Sequence, residues 1–289
     1  VNTYSSAINP TVYSLIDAKT GAEIKEIKNN LNLAEKHNEY GLPTKEFTTI
    51  KTVNGEFNMW MIKPKDFDPN KKYPLLLFQY SGPGSQRVSN GWNTVKGHDY
   101  WHMMLSQKGY IIACVDGRGT GFKGRDFKKV TYKELGKYEI EDQIESAKEL
   151  GKRTYIDENS IGIWGWSYGG FMSSLAITKG ADVFKMAIAV APVTSWRYYD
   201  TVYTERYMQT PQENASGYDE NSPVNFADLL KGAYLLIHGT GDDNVHVQNS
   251  MQMINALVES NKEFDFFAYP DRTHGISKGL NTRLHLFKK

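Results

Sequence analysis

The sequence predicts a mostly parallel, doubly wound α/β sheet with helices on both faces, preceded by a short β segment. Three observations carry that prediction. From Tyr73 onward, short apolar runs alternate with helical patterns; before it, strand pairs are joined by turn signals; and 40% of the 289 residues are apolar, ample for a large core.

In chain order, "TVYSLIDAKTGAEIKEIKN" places two strand-like runs around Lys19–Thr20–Gly21, a hairpin signal. "EFTTIKTVNGEFNMWMIKP" repeats the pattern, with Asn54–Gly55 as the expected two-residue turn. Buried strands are then expected at "PLLLFQY", "YIIACVD", "SIGIWGW", "MAIAVAP", "AYLLIHG" and "FDFFAYP". Their continuous rather than alternating apolar character is that of parallel strands covered on both faces. Helices are expected between them, as at "EIEDQIESAKELGK" and "NSMQMINALVESN". No internal repeat is long enough for a complete solenoid or propeller.

Bulk properties exclude several classes of function. With 34 basic and 33 acidic residues the formal charge is +1, and no long basic run points to nucleic acid or to an anionic membrane surface. No apolar stretch approaches bilayer-spanning length. The single cysteine, Cys114, sits in "GYIIACVD" and reads as a small core residue. The opening "VNTYSSAINPTVYSLID" lacks an initiator Met, a basic region and an apolar region, so it does not read as a signal peptide, and the chain reads as a piece of something longer.

The stretch "SIGIWGWSYGGFMSSLAI" passes from apolar strand to apolar helix through Gly165-Trp166-Ser167-Tyr168-Gly169. That is the G-x-S-x-G pattern, in which two small residues relieve crowding around a serine at a sharp turn. Alone it is weak, since on the order of one chain in ten of this length carries it by chance. Its strand–turn–helix context strengthens it. A serine hydroxyl needs an adjacent base held by a third group, and chain order on this architecture is Ser, acid, His. "YLLIHGTGDDNVHVQ" ends a strand in a loop with Asp242 and Asp243; "FDFFAYPDRTHGIS" ends another in a loop with His274. Either aspartate can equally cap a helix expected to start near Val245. His238 precedes the acids, inside a strand end, and reads as structural. His37, His98, His102, His246 and His285 have no comparable context. A zinc site needs clustered ligands, and no H-E-x-x-H occurs, so neither metal nor cofactor is expected.

At these residues the chain resembles the prolyl oligopeptidase family of serine peptidases. "GWSYGGF", "HGTGDDNVHVQ" and "DRTHGI" carry the resemblance, and "QYSGPGSQRV" and "APVTSWRYYDTVYTERYM" bring it closest to the dipeptidyl peptidase IV branch. It extends over nearly the whole chain from about Thr44. It implies an α/β-hydrolase fold, with residues 46–289 as the catalytic domain and residues 1–45 as the C-terminal remnant of a β-propeller. It further implies Ser167 as nucleophile, His274 as base and Asp242, rather than Asp243, as acid. Activity should then fall away in mildly acidic buffer, where an imidazole takes up a proton. The oxyanion would be held by the N–H of Tyr168, as the turn itself suggests, and by the hydroxyl of Tyr80, whose plainer role is packing at a strand end.

Tyr199, Tyr203 and Tyr207 fall at i, i+4 and i+8, one stripe of a helix. A core-facing stripe is the commoner arrangement, but three buried hydroxyls need three partners, which favours the wall of a cleft. The resemblance implies a pocket for proline or alanine formed by Val193, Trp196, Tyr199, Tyr203, Val245 and Tyr168. It also implies that Asn244 bonds a substrate carbonyl, although Asn244 serves equally well as a helix cap. In the family the substrate amine is held by adjacent propeller glutamates, and this sequence has no Glu–Glu pair. The expected activity is therefore cleavage after proline or alanine in a peptide substrate, with release of N-terminal X-Pro dipeptides inferred for the parent protein. Two alternatives stand beside it: an esterase or acylaminoacyl-peptidase-like hydrolase on the same fold, and a catalytically weak fragment serving as an interaction module. By analogy with the branch, "GLNTRLHLFKK" would be a final helix contributing to a homodimer, and the compartment extracellular or periplasmic.

Overall fold

The computed structural model describes residues 1–92 and 98–289. It opens with β1 (Asn2–Tyr4), β2 (Val12–Ile16) and β3 (Glu23–Lys28), an antiparallel sheet of its own, followed by α1 (Leu31–Glu39). The second sheet contains β4 (Glu46–Thr52), β5 (Gly55–Ile62), β6 (Tyr73–Phe78), β7 (Ile111–Asp116), β8 (Ile156–Trp166), β9 (Met186–Val190), β10 (Ala233–Gly239) and β11 (Asp265–Tyr269). Its helices are α2 (His98–Gln107), α3 (Arg125–Lys129), α4 (Lys137–Gly151), α5 (Tyr168–Lys179), α6 (Thr201–Met208), α7 (Ala215–Asp219), α8 (Gln248–Glu259) and α9 (Thr282–Lys288).

The eight strands lie in the order β11-β10-β9-β8-β6-β7-β5-β4, and β6 to β11 run parallel. The β4–β5 hairpin closes one edge in antiparallel register. All six apolar runs singled out in the sequence form these parallel strands. Burial on both faces explains why those runs are continuous: Leu75 and Leu77 of β6 face one core with α4, α5 and α8, while Leu76 and Phe78 face another that includes α2. Cys114 is fully buried in the second core.

The first hairpin turns where expected. Asp17 accepts the N–H groups of Lys19 (2.9 Å) and Thr20 (2.7 Å), and Gly21 completes the turn at φ 72°. In the second hairpin, Thr52 pairs with Gly55, so the turn residues are Val53 and Asn54, one position earlier than the Asn54–Gly55 pair suggests. The Thr52 hydroxyl accounts for the shift: it accepts from Asn54 N–H (3.1 Å) and donates to the Gly55 carbonyl (3.2 Å).

At the end of β8 the chain reverses into α5 through Ser167, which sits at φ 61°, ψ −118°. Such a conformation costs a non-glycine residue about 1–3 kcal/mol and persists only where its surroundings hold it. Here Ser167 N–H donates to the Val190 carbonyl at 2.8 Å, and its own carbonyl accepts from Phe171 N–H at 2.9 Å. The glycines on either side are required by space. A Cβ on Gly165 would lie 2.5 Å from the Gly169 oxygen, and one on Gly169 would lie 2.6 Å from the Gln79 oxygen. Gln79 ties the end of β6 to the same turn, donating through Nε2 to the Gly169 carbonyl at 2.8 Å. Gly169→Ala should therefore lower stability by about 1–3 kcal/mol, because the neighbour that must yield is backbone. A denaturant titration of mutant against wild type measures it, and an unchanged midpoint would contradict the packing described.

Candidate active site

Three loops at the C-terminal ends of parallel strands meet at one rim, where ligands bind in open α/β sheets. The turn after β8 carries Ser167, the loop after β10 carries Asp242, and the loop after β11 carries His274. A cavity of about 380 Å³ opens there, lined by Ser167, His274, Tyr80, Tyr199, Asn244 and Arg87 among others.

Asp242 is buried and fully engaged. Its Oδ1 accepts from the N–H groups of Asn244 (3.0 Å) and Val245 (2.9 Å), and its Oδ2 accepts from His274 Nδ1 at 2.7 Å. His238 Nε2 lies 3.3 Å from the same Oδ2. Burial alone would raise the Asp242 pKa. The hydrogen bonds from His238 and His274, the His274 charge and the Asn244 N–H outweigh it and hold the carboxyl well below the usual carboxylate range. An ionised carboxylate can only accept, so Nδ1 of His274 carries a proton and the neutral ring presents Nε2 as a lone pair. The His274 carbonyl accepts from Trp166 Nε1 at 3.0 Å, which fixes the loop against the strand that delivers Ser167. No hydrogen bond joins Ser167 to His274 among the described residues, although both line the one cavity. Such bonds are often long before substrate arrives.

Geometry separates the two aspartates that spacing left equivalent. Asp243 is exposed, whereas Asp242 is buried against both imidazoles. Asp242 also serves the capping role weighed for it, on the turn before α8; that helix begins at Gln248 rather than near Val245. His238 is fully buried. Its Nε2 lies 2.8 Å from the Val245 carbonyl, which can only accept, so Nε2 bears the proton and Nδ1 takes a hydrogen bond from Ser250 (2.6 Å). It is a structural imidazole that also supports Asp242.

Tyr80 follows β6 and lines the cavity. Its hydroxyl makes no hydrogen bond among the described residues, and the Arg87 guanidinium lies 4.5 Å above its ring. Asp116 holds that arginine's segment by accepting from the N–H groups of Arg87 (2.8 Å) and Val88 (2.7 Å). The Tyr168 N–H belongs to the first turn of α5, whose amides have no preceding carbonyl to take them.

The tyrosine stripe differs from expectation. Tyr199 is extended (φ −112°, ψ 166°), because Asp200 caps a helix that starts only at Thr201, accepting from Tyr203 N–H at 2.8 Å. The rings nonetheless follow one another, Tyr199–Tyr203 at 5.3 Å and Tyr203–Tyr207 at 4.8 Å. Trp196 stacks on Tyr203 (5.8 Å, 22°) and lies 5.3 Å from Tyr168. Val193, Trp196, Val245 and Tyr168 are buried in the core behind this cluster, while Tyr199 and Asn244 reach the cavity wall. Asn244 is exposed and makes no side-chain cap among the described residues; its Oδ1 accepts from the Tyr199 hydroxyl (2.8 Å), and the residue lines the cavity.

Sequence reasoning missed His98, Trp166 and Arg283 as lining residues. Burial, with help from neighbouring His102 and Arg283, pushes the His98 imidazole down to about 3, so it is a neutral ring, stacked on Trp166 at 5.8 Å. Arg283 lies over the same indole, 4.7 Å from its centre. Trp166 lies beside Ser167 in the motif itself, whereas nothing local marks His98 and Arg283, which α2 and α9 bring to the rim only through the fold.

A parallel sheet, a strained serine between two required glycines, and an imidazole held by a buried carboxylate define an α/β-hydrolase domain. A sequence model of the prolyl oligopeptidase family matches residues 98–289, and the chain belongs to that family. It is 44% identical over 255 residues to a probable dipeptidyl-aminopeptidase B of Coccidioides posadasii, covering 87% of this chain and 27% of that protein. It is 42% identical to prolyl endopeptidase FAP of Bos taurus, covering 96% of this chain and 36% of that one. The crystal structure of Porphyromonas gingivalis dipeptidyl peptidase 4 superposes with a TM-score of 0.96 at 48% identity, over all of this chain and 40% of that one. The chain thus spans between about a quarter and two-fifths of the length of these relatives.

The depressed Asp242 pKa fixes the sign of a pH effect. The folded state favours the ionised form, so the stabilisation is present above the ordinary aspartate range, near 3.9, and is lost as pH falls through the lower folded value. Asp242→Asn should cost on the order of 1–3 kcal/mol at neutral pH. The gap to wild type should narrow only below about pH 4. Unfolding free energies across pH 2.5–7 test it, and a gap that narrows near pH 6 would point to another group.

Proposed function

We propose that residues 46–289 are the catalytic domain of a serine peptidase that cleaves after proline or alanine, and that its parent protein releases N-terminal X-Pro dipeptides. The observation that carries this reading is the 2.7 Å hydrogen bond from His274 to Asp242 at the rim that also holds Ser167. In the proposed reaction, His274 Nε2 takes the Ser167 proton as Oγ bonds to the peptide carbonyl carbon. The resulting oxyanion is held by Tyr168 N–H and the Tyr80 hydroxyl. The C–N bond then breaks as His274 returns the proton to the leaving amine, and water releases the acyl group by the same steps.

Substrate selection follows from shape. The flat ring of proline suits a pocket walled by Tyr199 and Tyr203 and backed by Trp196, Val193, Val245 and Tyr168, whereas a large side chain would displace buried aromatic rings. The free amide of Asn244 would donate to a substrate carbonyl. The matched relatives support this choice, as one is named a probable dipeptidyl-aminopeptidase, one a dipeptidyl peptidase and one a prolyl endopeptidase. Residues 1–45, with their separate antiparallel sheet, are proposed as the end of a β-propeller. The amine of a dipeptide substrate calls for carboxylates that this sequence does not supply as a pair.

Ser167→Ala should abolish labelling by a fluorophosphonate. Tyr80→Phe should lower kcat about 10²–10³-fold, equivalent to about 2.7–4 kcal/mol, with KM little changed. Residues 1–289 on their own should label at Ser167 yet turn over Gly-Pro amides weakly. Labelling elsewhere, near wild-type turnover in Tyr80→Phe, or faster hydrolysis of a plain acyl ester than of a Gly-Pro amide by the full-length protein would each remove part of this reading.

A further inference from the structure

Behind the serine turn lies a carboxyl that the proposed reaction does not use. Glu139, in the first turn of α4, is 1% exposed. One oxygen accepts from the Gly136 N–H at 3.0 Å and the other from the Tyr168 hydroxyl at 2.6 Å. The first contact is the familiar helix-capping role of a glutamate at this position, but capping needs neither burial nor a second partner. Space confirms that the two helix starts are pressed together: Gly136 has φ 98°, and a Cβ there would lie 2.5 Å from Phe171 of α5. Arg118, on the loop after β7, is engaged by Asp142 and Glu141, and no lysine or arginine pairs with Glu139 among the described residues. A buried carboxyl without a cation is costly to keep unless something requires it.

Its partner is the residue that follows Ser167. The Tyr168 ring is buried, lies 5.3 Å from Trp196 and 6.0 Å from Tyr80, and its hydroxyl has Glu139 as its one hydrogen-bond partner among the described residues. We propose that Glu139 is a positioning residue for the oxyanion site, fixing through the Tyr168 hydroxyl both the amide that follows Ser167 and the ring behind the aromatic pocket. This rests on the reading of Ser167 as nucleophile.

The group's charge state matters to that role. Burial pushes the Glu139 carboxyl up to about 8, against the hydrogen bonds from Tyr168 and Gly136. The titratable groups facing it are Tyr168 on α5, Tyr203 on α6 and Asp142 one turn along α4; Tyr80 faces Tyr168 from the end of β6. None is a cation. Near neutrality Glu139 is therefore mostly the uncharged acid. As pH rises through about 8 it gains a negative charge one residue from the amide that would meet the oxyanion, where it opposes the charge developing in the transition state.

The test is the rate of Ser167 labelling by a fluorophosphonate without an amine of its own, measured from pH 6.5 to 9.5 in wild type, Glu139→Gln, Glu139→Leu, Tyr168→Phe and the variant combining the last two, with thermal unfolding alongside. Wild type should lose rate as pH rises through about 8. Glu139→Gln keeps the shape and both bonding positions but cannot ionise; it should stay within about threefold of wild type at pH 7 and lose the alkaline decline. Glu139→Leu and Tyr168→Phe should each be slower by roughly tenfold to a hundredfold, without adding when combined. An alkaline decline retained in Glu139→Gln, or wild-type labelling by a folded Glu139→Leu, would overturn the inference; if Glu139→Leu does not fold, the glutamine profile decides. Failure of wild type to label at Ser167 would overturn the nucleophile reading and this role with it, whereas a labelled wild type matched by every variant defeats only the role of Glu139.

Discussion

The site depends on one carboxylate kept charged inside the protein. Asp242 takes hydrogen bonds from two backbone amides and one imidazole and lies within 3.3 Å of a second. Those contacts join the end of β10, the loop that follows it and the loop after β11 into one unit. Removing any of them would leave a buried charge short of a donor, which is why the arrangement holds the His274 ring in one tautomer. Ser167 is held independently, by the Val190 carbonyl and by glycines that admit backbone where no side chain fits. Trp166 links the two systems, since it precedes Ser167 and its indole bonds the carbonyl of His274.

The parallel core was legible because burial on both faces leaves unbroken apolar runs, and each of the six became a strand. The rim was legible in outline, since Ser167, Asp242 and His274 each follow such a run. What the string concealed was decided by single polar contacts. The Thr52 hydroxyl moved a turn by one residue. The Asp200 carboxylate started α6 after Tyr199, so a helical stripe became an extended residue followed by a helix. Asp242 and Asp243 look alike in sequence, and only the way the loop folds shows which one is buried. His98 and Arg283 reach the cavity from far along the chain, and no local pattern announces that.

Asn244 and Asp242 show how contacts in the fold sort the roles weighed for one group. The Asn244 side-chain oxygen is occupied by the Tyr199 hydroxyl. That bond restrains a side chain that caps no helix among the described residues. Asp242 fills two of its roles, since its Oδ1 caps a turn while its Oδ2 faces His274. At Asp242 this follows from the scarcity of donors and acceptors at a strand end, where each buried polar atom must be matched.

Two carboxyls flank the serine turn, and their surroundings push them in opposite directions. Asp242 is buried but rich in donors, so its charged form is favoured; Glu139 is buried with two donors and, among the described residues, no cation, so its neutral form is favoured. Desolvation acts on both, and the number and kind of donors decides the outcome. Environments that separate the pKa values of neighbouring acids are how one fold assigns them different tasks. The Asp242 charge sits against Nδ1 of His274, where it would stabilise the cation formed if the ring takes a proton in the proposed reaction. A second charge at Glu139 would sit behind Tyr168, whose amide is proposed to meet the oxyanion. Both side chains are out of contact with water, so which of the two carries charge is set by what each is given to bond.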